Sequence, residues 1–284
     1  MKLEAPIVEP SLWPLDGPVE DLFVAGGRFG RWQREAAPED EVVMTGNAWV
    51  ARDDWALLMA TGGPAKLESH AGEILARKGG GEARDGLVVM ASEDSFLVRY
   101  PWDLLRVNAQ LLGALSAGEE MRPGAAVTET EDGLLICGEG TRILPGVYVE
   151  GTVLIGSDCK IGPNCYLRGS TCIGDGCRVG QAVEVKNSLL GHGASVGHLS
   201  YVGDSILGSR VNFGAGTTTS NLRHDGRNHR SMVDGELVDT GRRKFGTVVG
   251  DGVHTGINTT IYPGRKLGPG TTTLPGEVVE RDKH

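Results

Sequence analysis

The chain has 284 residues, which is enough for one large or two modest domains with a substantial core. Its formal net charge of -9 argues against a nucleic-acid partner, because a phosphate backbone calls for a basic face. The five cysteines do not suggest a secreted disulfide scaffold, and the start, MKLEAPIVEPSLWPL, has no apolar run long enough for a signal peptide or a membrane span. We therefore expect a cytoplasmic protein without a membrane partner.

The first part of the chain differs in composition from the rest. All five tryptophans lie within the first 102 residues, which also carry most of the net negative charge, and glycine becomes more frequent afterwards. This change predicts a boundary near residue 120, with a small α/β domain over residues 1–120. Within that domain, LVVMASEDSFLVRYPWDLLRVNAQLLGAL is typical of a strand followed by a helix, and ARDDWALLMA is compatible with another helix. The residues of this domain do not indicate which activity it has.

The stretch GEGTRILPG at residues 138–146 resembles a phosphate-binding loop, G-x-G-T-R-x-x-P-K, but Gly146 stands in place of the lysine. Such a loop needs a helix after it, whose N-terminal amides hold the phosphates. The repeat described next predicts strands there, with Ile143 as the first inward residue. We interpret the match as a coincidence.

A period of six residues runs from Ile143 almost to the end of the chain. Steps of six give eight aliphatic residues in succession, and the pattern resumes after each of two single-residue slips. The positions are Ile143, Val149, Ile155, Ile161, Leu167, Ile173, Val179, Val185; Leu190, Val196, Val202; Leu207, Phe213, Thr219; and Val249, Thr255, Ile261, Leu267, Thr273, Val279. This period predicts a parallel β-helix over residues 121–284, in which three hexapeptides form one triangular coil and the aliphatic side chain points inward.

Three cysteines follow this pattern. Cys159, Cys165 and Cys177 each come four residues after an inward aliphatic, where the coil again points inward. Cys159 and Cys177 are 18 residues apart and should stack in adjacent coils. We interpret all three as small core residues and not as a zinc cluster.

Two cations replace glycine at a corner of the coil. Arg168 follows Leu167 and Lys186 follows Val185, so the cations stack about 4.8 Å apart along the axis. Stacked cations repel each other unless an anion lies between or in front of them, so the pair is either two solvated residues or a holder of phosphate. Because a corner tolerates a small residue, we expect substitution of either cation to leave folding unharmed.

The repeat is interrupted at residues 221–246. This excursion fits no hexapeptide register and carries six Lys and Arg against four Asp and Glu. An excursion of this length from a regular coil is more often functional than accidental, although a solvated surface loop is the alternative.

Several linked motifs resemble the acetyltransferase domain of the bifunctional glucosamine-1-phosphate acetyltransferase/N-acetylglucosamine-1-phosphate uridyltransferase family. They are LRGS, VEVKNS, GHLSYVGDS, VNFGAGT and SNLRHDG, and YPWDLLRVN together with DTGRRKFGTVVGDGVHTGINTTIYPGRK is similar to the archaeal-type branch. The resemblance covers residues 98–280 or so.

The resemblance implies a left-handed β-helix and a homotrimer with active sites between subunits. It also implies acetyl transfer from acetyl-CoA, as co-substrate, to an amino-sugar phosphate such as glucosamine-1-phosphate, in UDP-N-acetylglucosamine biosynthesis, with no metal. By family role, Arg168 and Lys186 hold the sugar phosphate, and His198 is the general base. The residues that contact the substrate or the acetyl group are Tyr201, Asn212 and Asn221.

The chain departs from the family in its first part. Family members carry a larger uridyltransferase domain that opens with the phosphate-binding loop, whereas residues 1–120 contain no such loop. We therefore expect no uridyltransferase activity, and these residues are compatible with a degenerate remnant of that domain.

Two other functions stay open. A metal-dependent hydratase of the γ-carbonic-anhydrase kind would use His224 and His229 with His192 or His198, but the first two lie in the excursion and not on adjoining coils. A non-catalytic β-helix that binds a sugar nucleotide or has a regulatory role would need no base, and the presence of His198 among its companion motifs favours the enzyme.

Overall fold

The computed structural model describes residues 1–6, 9–38, 42–79, 86–115 and 126–284. The chain forms two compact units. The first comprises Met1–Leu12, Gly17–Leu22 and Gly27–Tyr100, and the second comprises Trp13–Asp16, Phe23–Gly26 and Pro101–His284. The boundary expected near residue 120 falls within residues 116–125, outside the described residues. No helix in the described ranges is long and apolar enough to cross a membrane.

The elements before residue 116 are short. In chain order they are β1 (Lys2–Glu4), a 3-10 turn (Val19–Asp21), β2 (Phe23–Val24), β3 (Gly27–Arg28), α1 (Phe29–Ala36), β4 (Val42–Thr45), β5 (Ala48–Trp49), α2 (Arg52–Ala60), β6 (Ala65–Glu68), β7 (Ile74–Lys78), β8 (Leu87–Met90), β9 (Phe96–Leu97) and α3 (Asp103–Gly113). The expected strand-then-helix segment corresponds to β8, β9 and α3, and ARDDWALLMA forms α2.

The first unit is built on a five-stranded mixed sheet in the order β1-β4-β7-β6-β8. The outer strands are parallel to their neighbours: β1 pairs with β4, and β8 pairs with β6. The central strand β7 is antiparallel to both β4 and β6. Strand β6 alternates buried Ala65 and Leu67 with the half-buried ion pair Lys66–Glu68, as a strand with one covered face must. Helix α2 contributes Trp55 and Leu58 to the same core.

The strands after residue 125 are short except β13. They are β10 (Ala126–Thr130), β11 (Gly133–Cys137), β12 (Arg142–Ile143), β13 (Tyr148–Ile155), β14 (Lys160–Ile161), β15 (Tyr166–Arg168), β16 (Thr171–Ile173), β17 (Arg178–Gln181), β18 (Glu184–Lys186), β19 (Leu189–Leu190), β20 (Ser195–His198), β21 (Tyr201–Gly203), β22 (Ile206–Leu207), β23 (Asn212–Phe213), β24 (Thr218–Thr219), β25 (Arg230–Val233), β26 (Glu236–Asp239), β27 (Val248–Val249), β28 (Thr260–Ile261), β29 (Lys266–Leu267) and β30 (Val278–Val279).

These strands form three parallel faces that the chain visits in turn. The first face is β12-β14-β17-β20-β23. The second runs from the start of β13 through β15, β18, β21, β24 and β28 to β30, and the third runs from the end of β13 through β16, β19, β22 and β27 to β29. The predicted fold class is confirmed: the chain is mainly β, a left-handed parallel β-helix of hexapeptide repeats with a small N-terminal α/β part.

The six-residue period predicts the interior of the β-helix correctly with one exception. Every predicted inward position from Val149 to Val279 is buried. Ile143 keeps the register, because it pairs with Ile161, but it is 40% exposed. It lies on β12, which is the edge strand of the first face, so no further strand of that face covers it. Ile143 therefore keeps the register of the inward row, as expected, but it is not buried, because it lies at the open end of that row. No helix follows it, as expected.

The two slips in the period are visible in the strand pairing. Partners are 18 residues apart in the first coils, as in Lys160↔Arg178, and 17 apart after the slips, as in Arg178↔Ser195 and Ser195↔Asn212. Each slip therefore shortens one coil by a residue and leaves the inward positions in line. The excursion enlarges the next spacing to 42 residues, as in Thr218↔Thr260.

The cysteines lie where the period predicts. Cys159, Cys165 and Cys177 are each about 2% exposed or less and belong to the β-helix core. Their thiols are free, and burial raises the pKa of the Cys165 thiol to about 11. For Cys165 this raised pKa makes the thiol unreactive, and for all three cysteines the burial is in keeping with a packing role.

Candidate functional site

Arg168 and Lys186 are stacked on the second face as the sequence predicts. They end β15 and β18, and they are register partners. Each has its own carboxylate: Arg168 contacts Glu184 through Nε (2.8 Å) and Nη2 (2.7 Å), and Lys186 Nζ lies 3.2 Å from Asp204 Oδ2. The protein itself therefore supplies the anions that relieve the repulsion between these cations, and the stacking alone does not demand a bound anion.

The two ion pairs differ in their exposure to solvent. The side chains of Arg168 and Glu184 are both 31% exposed, whereas those of Lys186 and Asp204 are 12% and 3% exposed. Arg168 also lies over the ring of Tyr166, 5.0 Å from its centroid. A ligand phosphate can therefore reach the guanidinium of Arg168 more easily than the ammonium of Lys186.

Tyr201 and Asn221 join the same network. Asn221 Nδ2 donates to Tyr201 Oη (2.9 Å) and to Asp204 Oδ2 (2.6 Å), the oxygen that also faces Lys186. Burial raises the pKa of the Tyr201 phenol, and the charges of Asp204 and Glu184 raise it further. The phenol therefore stays neutral, accepts from Asn221 and keeps its own hydrogen for another acceptor.

His198 and Asn212 lie on the first face and not on the second. His198 is the last residue of β20 and is exposed, three residues before Tyr201, with which β21 begins. Its carbonyl oxygen accepts from Ser200 Oγ (2.7 Å) and the Gly216 amide (3.1 Å). Asn212 begins β23, is also exposed and pairs with Ser195. The structure thus joins Lys186, Asn221 and, through Asn221, Tyr201 to Asp204, and it stacks Arg168 on Lys186. His198 lies at the end of the preceding strand, and Asn212 lies on the first face.

The excursion is an ordered part of the second unit. Its centre is the antiparallel hairpin of β25 and β26. Ser231 Oγ donates to the Gly264 carbonyl (2.8 Å), and Phe245 is fully buried with its ring edge-on to Trp102. These contacts come from the same chain, so the excursion does not need a neighbouring subunit to fold back.

His229 connects the excursion to the network. It is 1% exposed, and its Nε2 lies 3.0 Å from the carbonyl oxygen of Asn221. Burial lowers the pKa of this imidazole. His224 is exposed, and no group of three metal-binding side chains forms among the residues that the structure describes.

Three charged residues of this region are absent from the sequence-based prediction: Glu184, Asp204 and Arg242. Burial lowers the pKa of the Arg242 guanidinium, and the charges of Asp204 and Asp103 oppose that shift. Among the residues that the structure describes, Arg242 Nε has no hydrogen-bond partner. For Asp204 the sequence contains a signal. It continues a corner series with left-handed backbone, Gly151, Gly169 and Asn187, in which an aspartate can replace glycine.

The sequence also matches known proteins over this part. A family model described as the GMPPB C-terminal domain matches residues 138–270. A bifunctional sugar-1-phosphate nucleotidylyltransferase/acetyltransferase of Sulfurisphaera tokodaii is 38% identical over 187 residues, which are 64% of this chain and 45% of that protein. The bifunctional protein GlmU of Methanococcus aeolicus is 36% identical over 186 residues, 64% of this chain and 44% of that protein.

Among solved structures, the polysialic acid O-acetyltransferase OatWY aligns with 52% of this chain and 80% of its own chain. The sequence identity is 15% and the TM-score is 0.26. The chain spans less than half the length of the two curated relatives. Over its C-terminal 64%, the chain is a homologue of the bifunctional sugar-1-phosphate nucleotidylyltransferase/acetyltransferase and GlmU proteins, and the resemblance that its motifs indicated is confirmed.

Proposed function

We propose that this protein is an acetyl-CoA-dependent N-acetyltransferase that acts on an amino-sugar phosphate such as glucosamine-1-phosphate, in the synthesis of a nucleotide sugar. One observation carries the proposal: Lys186 and Asn221 contact the buried carboxylate of Asp204, Tyr201 is hydrogen-bonded to Asn221, and Arg168 is the register partner of Lys186. The site combines two cations for a phosphate with a neutral phenol and an amide for hydroxyl groups. The homology to acetyltransferases supports the reaction class.

The proposed chemistry is a single acyl transfer. The sugar phosphate binds against Arg168 and Lys186, which leaves the amine free to attack the thioester carbonyl carbon. A nitrogen–carbon bond forms, the carbon–sulfur bond breaks, and the CoA thiolate leaves. His198 accepts the proton that the amine loses, since a neutral imidazole is suited to that role. No metal takes part in these steps.

A thiol-release assay with acetyl-CoA and a panel of amino-sugar phosphates tests the proposal. The five cysteines of the chain are buried, so a thiol reagent should give a low background before substrate is added. We expect release with at least one amino-sugar phosphate and none with the same sugar lacking its amine. Binding of a sugar nucleotide without any release would support the non-catalytic alternative, and release of no thiol with any amine would refute the enzyme.

We also propose that the protein is a homotrimer with sites between subunits. His198 and Asn212 are exposed on the first face, while the phosphate-binding candidates are on the second. A neighbouring copy that faces both would complete the site. Mass photometry should give a species of three times 30.0 kDa, and a stable monomer at working concentration would contradict shared sites. The cytoplasmic location stays an expectation from the sequence.

A further inference from the structure

The excursion encloses a second concentration of positive charge, apart from the Arg168–Lys186 pair. A cavity of about 560 Å³ is lined by four arginines and one acid, with Gly226 and Asn228 between them: Arg223, Arg227, Arg230, Arg243 and Asp239. A volume of this size is typical of small-molecule sites, which range over roughly 300–1,000 Å³. It is larger than a single phosphate requires.

The loop that carries these arginines is fixed from within. Asp225 receives Arg223 through Nε (2.9 Å) and Nη2 (2.6 Å), and its Oδ1 also accepts the Arg227 amide (3.1 Å). Arg243 donates from Nε to the Gly226 carbonyl (3.1 Å), which orients its guanidinium, and within the described ranges its Nη groups make no hydrogen bond. These contacts orient the guanidiniums of Arg223 and Arg243 and fix the backbone at Arg227. The side chains of Arg227 and Arg230 are exposed at the cavity.

The charge of this cavity is not balanced by the protein. Arg223 has Asp225, but in the described ranges no ion pair joins Arg227, Arg230 or Arg243 to an acidic side chain. Asp239, the register partner of Arg230, uses its Oδ1 to accept the Gly241 amide (2.8 Å). In a chain of net charge -9, three such arginines around one cavity are an unusual local excess of positive charge.

Arginine in this arrangement favours phosphate. The guanidinium forms two parallel hydrogen bonds to a phosphate and is less strongly hydrated than an ammonium, so desolvating it is easier. Three available guanidiniums balance at least two phosphate groups, and the remaining volume accommodates a nucleoside. We infer that the excursion cavity binds a nucleotide that carries two or more phosphate groups, through Arg227, Arg230 and Arg243. For coenzyme A the inference rests on the acetyl transfer proposed above, whereas for UDP it stands apart from it, and binding is measured without turnover in both cases.

Titration calorimetry on the full chain can distinguish two candidate ligands that carry these phosphate groups. Coenzyme A presents a diphosphate and a ribose phosphate, UDP presents a nucleoside diphosphate, and inorganic phosphate is the probe for a simple anion patch. We expect coenzyme A or UDP to bind, and Arg243→Gln and the double variant Arg227→Gln/Arg230→Gln to weaken that binding roughly tenfold or more. Whichever nucleotide shows the loss is the occupant.

Matched variants separate a site from general charge. Arg34→Gln removes an exposed arginine of α1 and should leave the affinity unchanged. Asp239→Asn removes the one acid of the lining and should strengthen binding a few-fold, the opposite sign to the arginine variants. Wild-type affinity for both nucleotides in all the arginine variants would overturn the inference. The inference would also be overturned if inorganic phosphate bound as tightly as the nucleotides and if salt displaced it equally from every variant. Because the readout is heat of binding, neither result depends on turnover.

Discussion

The phenol of Tyr201 occupies the space that a side chain on Gly203 would need. A β-carbon built on Gly203 would lie 2.4 Å from Tyr201 Oη and 2.7 Å from Asn221 Nδ2. Gly203 follows Lys186 in the series in which Arg168 and Lys186 are stacked. The stacked positions 168, 186 and 203 therefore change from cation to glycine at the coil where Tyr201 Oη and Asn221 Nδ2 occupy the side-chain space.

Gly203→Ala should disrupt the proposed site without unfolding the β-helix. The backbone of Gly203 is not left-handed, so alanine is tolerated by the chain itself, but its methyl group must displace Tyr201 or Asn221. We expect the Michaelis constant for the sugar phosphate to rise about tenfold or more, with little change in melting temperature. Gly62→Ala, where an added β-carbon meets nothing within 4 Å, is the control and should behave as wild type. Unaltered kinetics in Gly203→Ala would exclude the Tyr201–Asn221 pair from substrate binding.

Arg168→Ala should weaken substrate binding and leave folding intact. Its ion pair is partly exposed, so loss of the guanidinium affects stability little but removes a charge-assisted contact worth about 1.5–3 kcal/mol to a bound phosphate. The Michaelis constant should rise roughly tenfold or more. Arg142→Ala, at an exposed position of the first face, serves as the control. If the Michaelis constant is the same in Arg168→Ala as in wild type, Arg168 does not bind the phosphate.

Substitution of Lys186, unlike that of Arg168, should impair folding, contrary to the expectation from the sequence. Its ammonium neutralises Asp204, which is 2% exposed, so Lys186→Ala would leave a buried carboxylate without its cation. A rise in Michaelis constant for that variant would therefore combine lost binding with local unfolding, and only Arg168 gives a clean test of the phosphate pair.

Asp204→Asn should destabilise the protein and disorder the site together. The carboxylate faces Lys186 and receives the side-chain amides of Asn187 and Asn221. Removing one partner of a buried pair lowers the free energy of unfolding by about 3 kcal/mol. Urea unfolding of the variant should show this loss, and its Michaelis constant should rise. Asp158→Asn, at an exposed corner with the same left-handed backbone, should be neutral in both measurements. A variant of Asp204 with full stability would mean that the network does not hold the corner.

His229 should make the excursion sensitive to acid. Burial lowers the pKa of its imidazole in the folded protein, so the unfolded chain takes up the proton more readily. The stabilising contribution is complete above about pH 6.5, the ordinary pKa of an imidazole, and is lost as the pH falls below it. The protection factors of the amides in residues 221–246, which are exchange rates corrected for the slower intrinsic exchange at low pH, should therefore fall on acidification. This loss of protection should be smaller in His229→Gln and unchanged in His224→Gln, and an equal response in all three proteins would contradict the assignment.

The sequence predicts those parts of the structure that follow from local periodicity. Val185 and Val202 are inward because their neighbours repeat every six residues, and the pairing of Arg168 with Lys186 follows from the same count. The contacts of Asp204 could not be predicted this way. They depend on Asn221, which opens the excursion at residues 221–246 and lies outside the hexapeptide register, so the count of six says nothing about where its side chain lies. Likewise, the period cannot show that Ile143 lies on an edge strand.

His198→Ala should lower the turnover number by about 10²–10⁴-fold while substrate binding stays nearly unchanged. The amine must lose a proton as it attacks, and His198 is an exposed imidazole at the corner next to Tyr201. Because the protonated imidazole cannot accept that proton, the wild-type rate should also fall on acidification. Its ring makes no hydrogen bond within the described part of the chain, so removing it should not affect folding. His192→Ala is the control, since its ring lies 3.4 Å from Asp175 at another corner of the coil. Near-normal turnover in His198→Ala, or a rate that is flat on acidification, would show that another group accepts the proton.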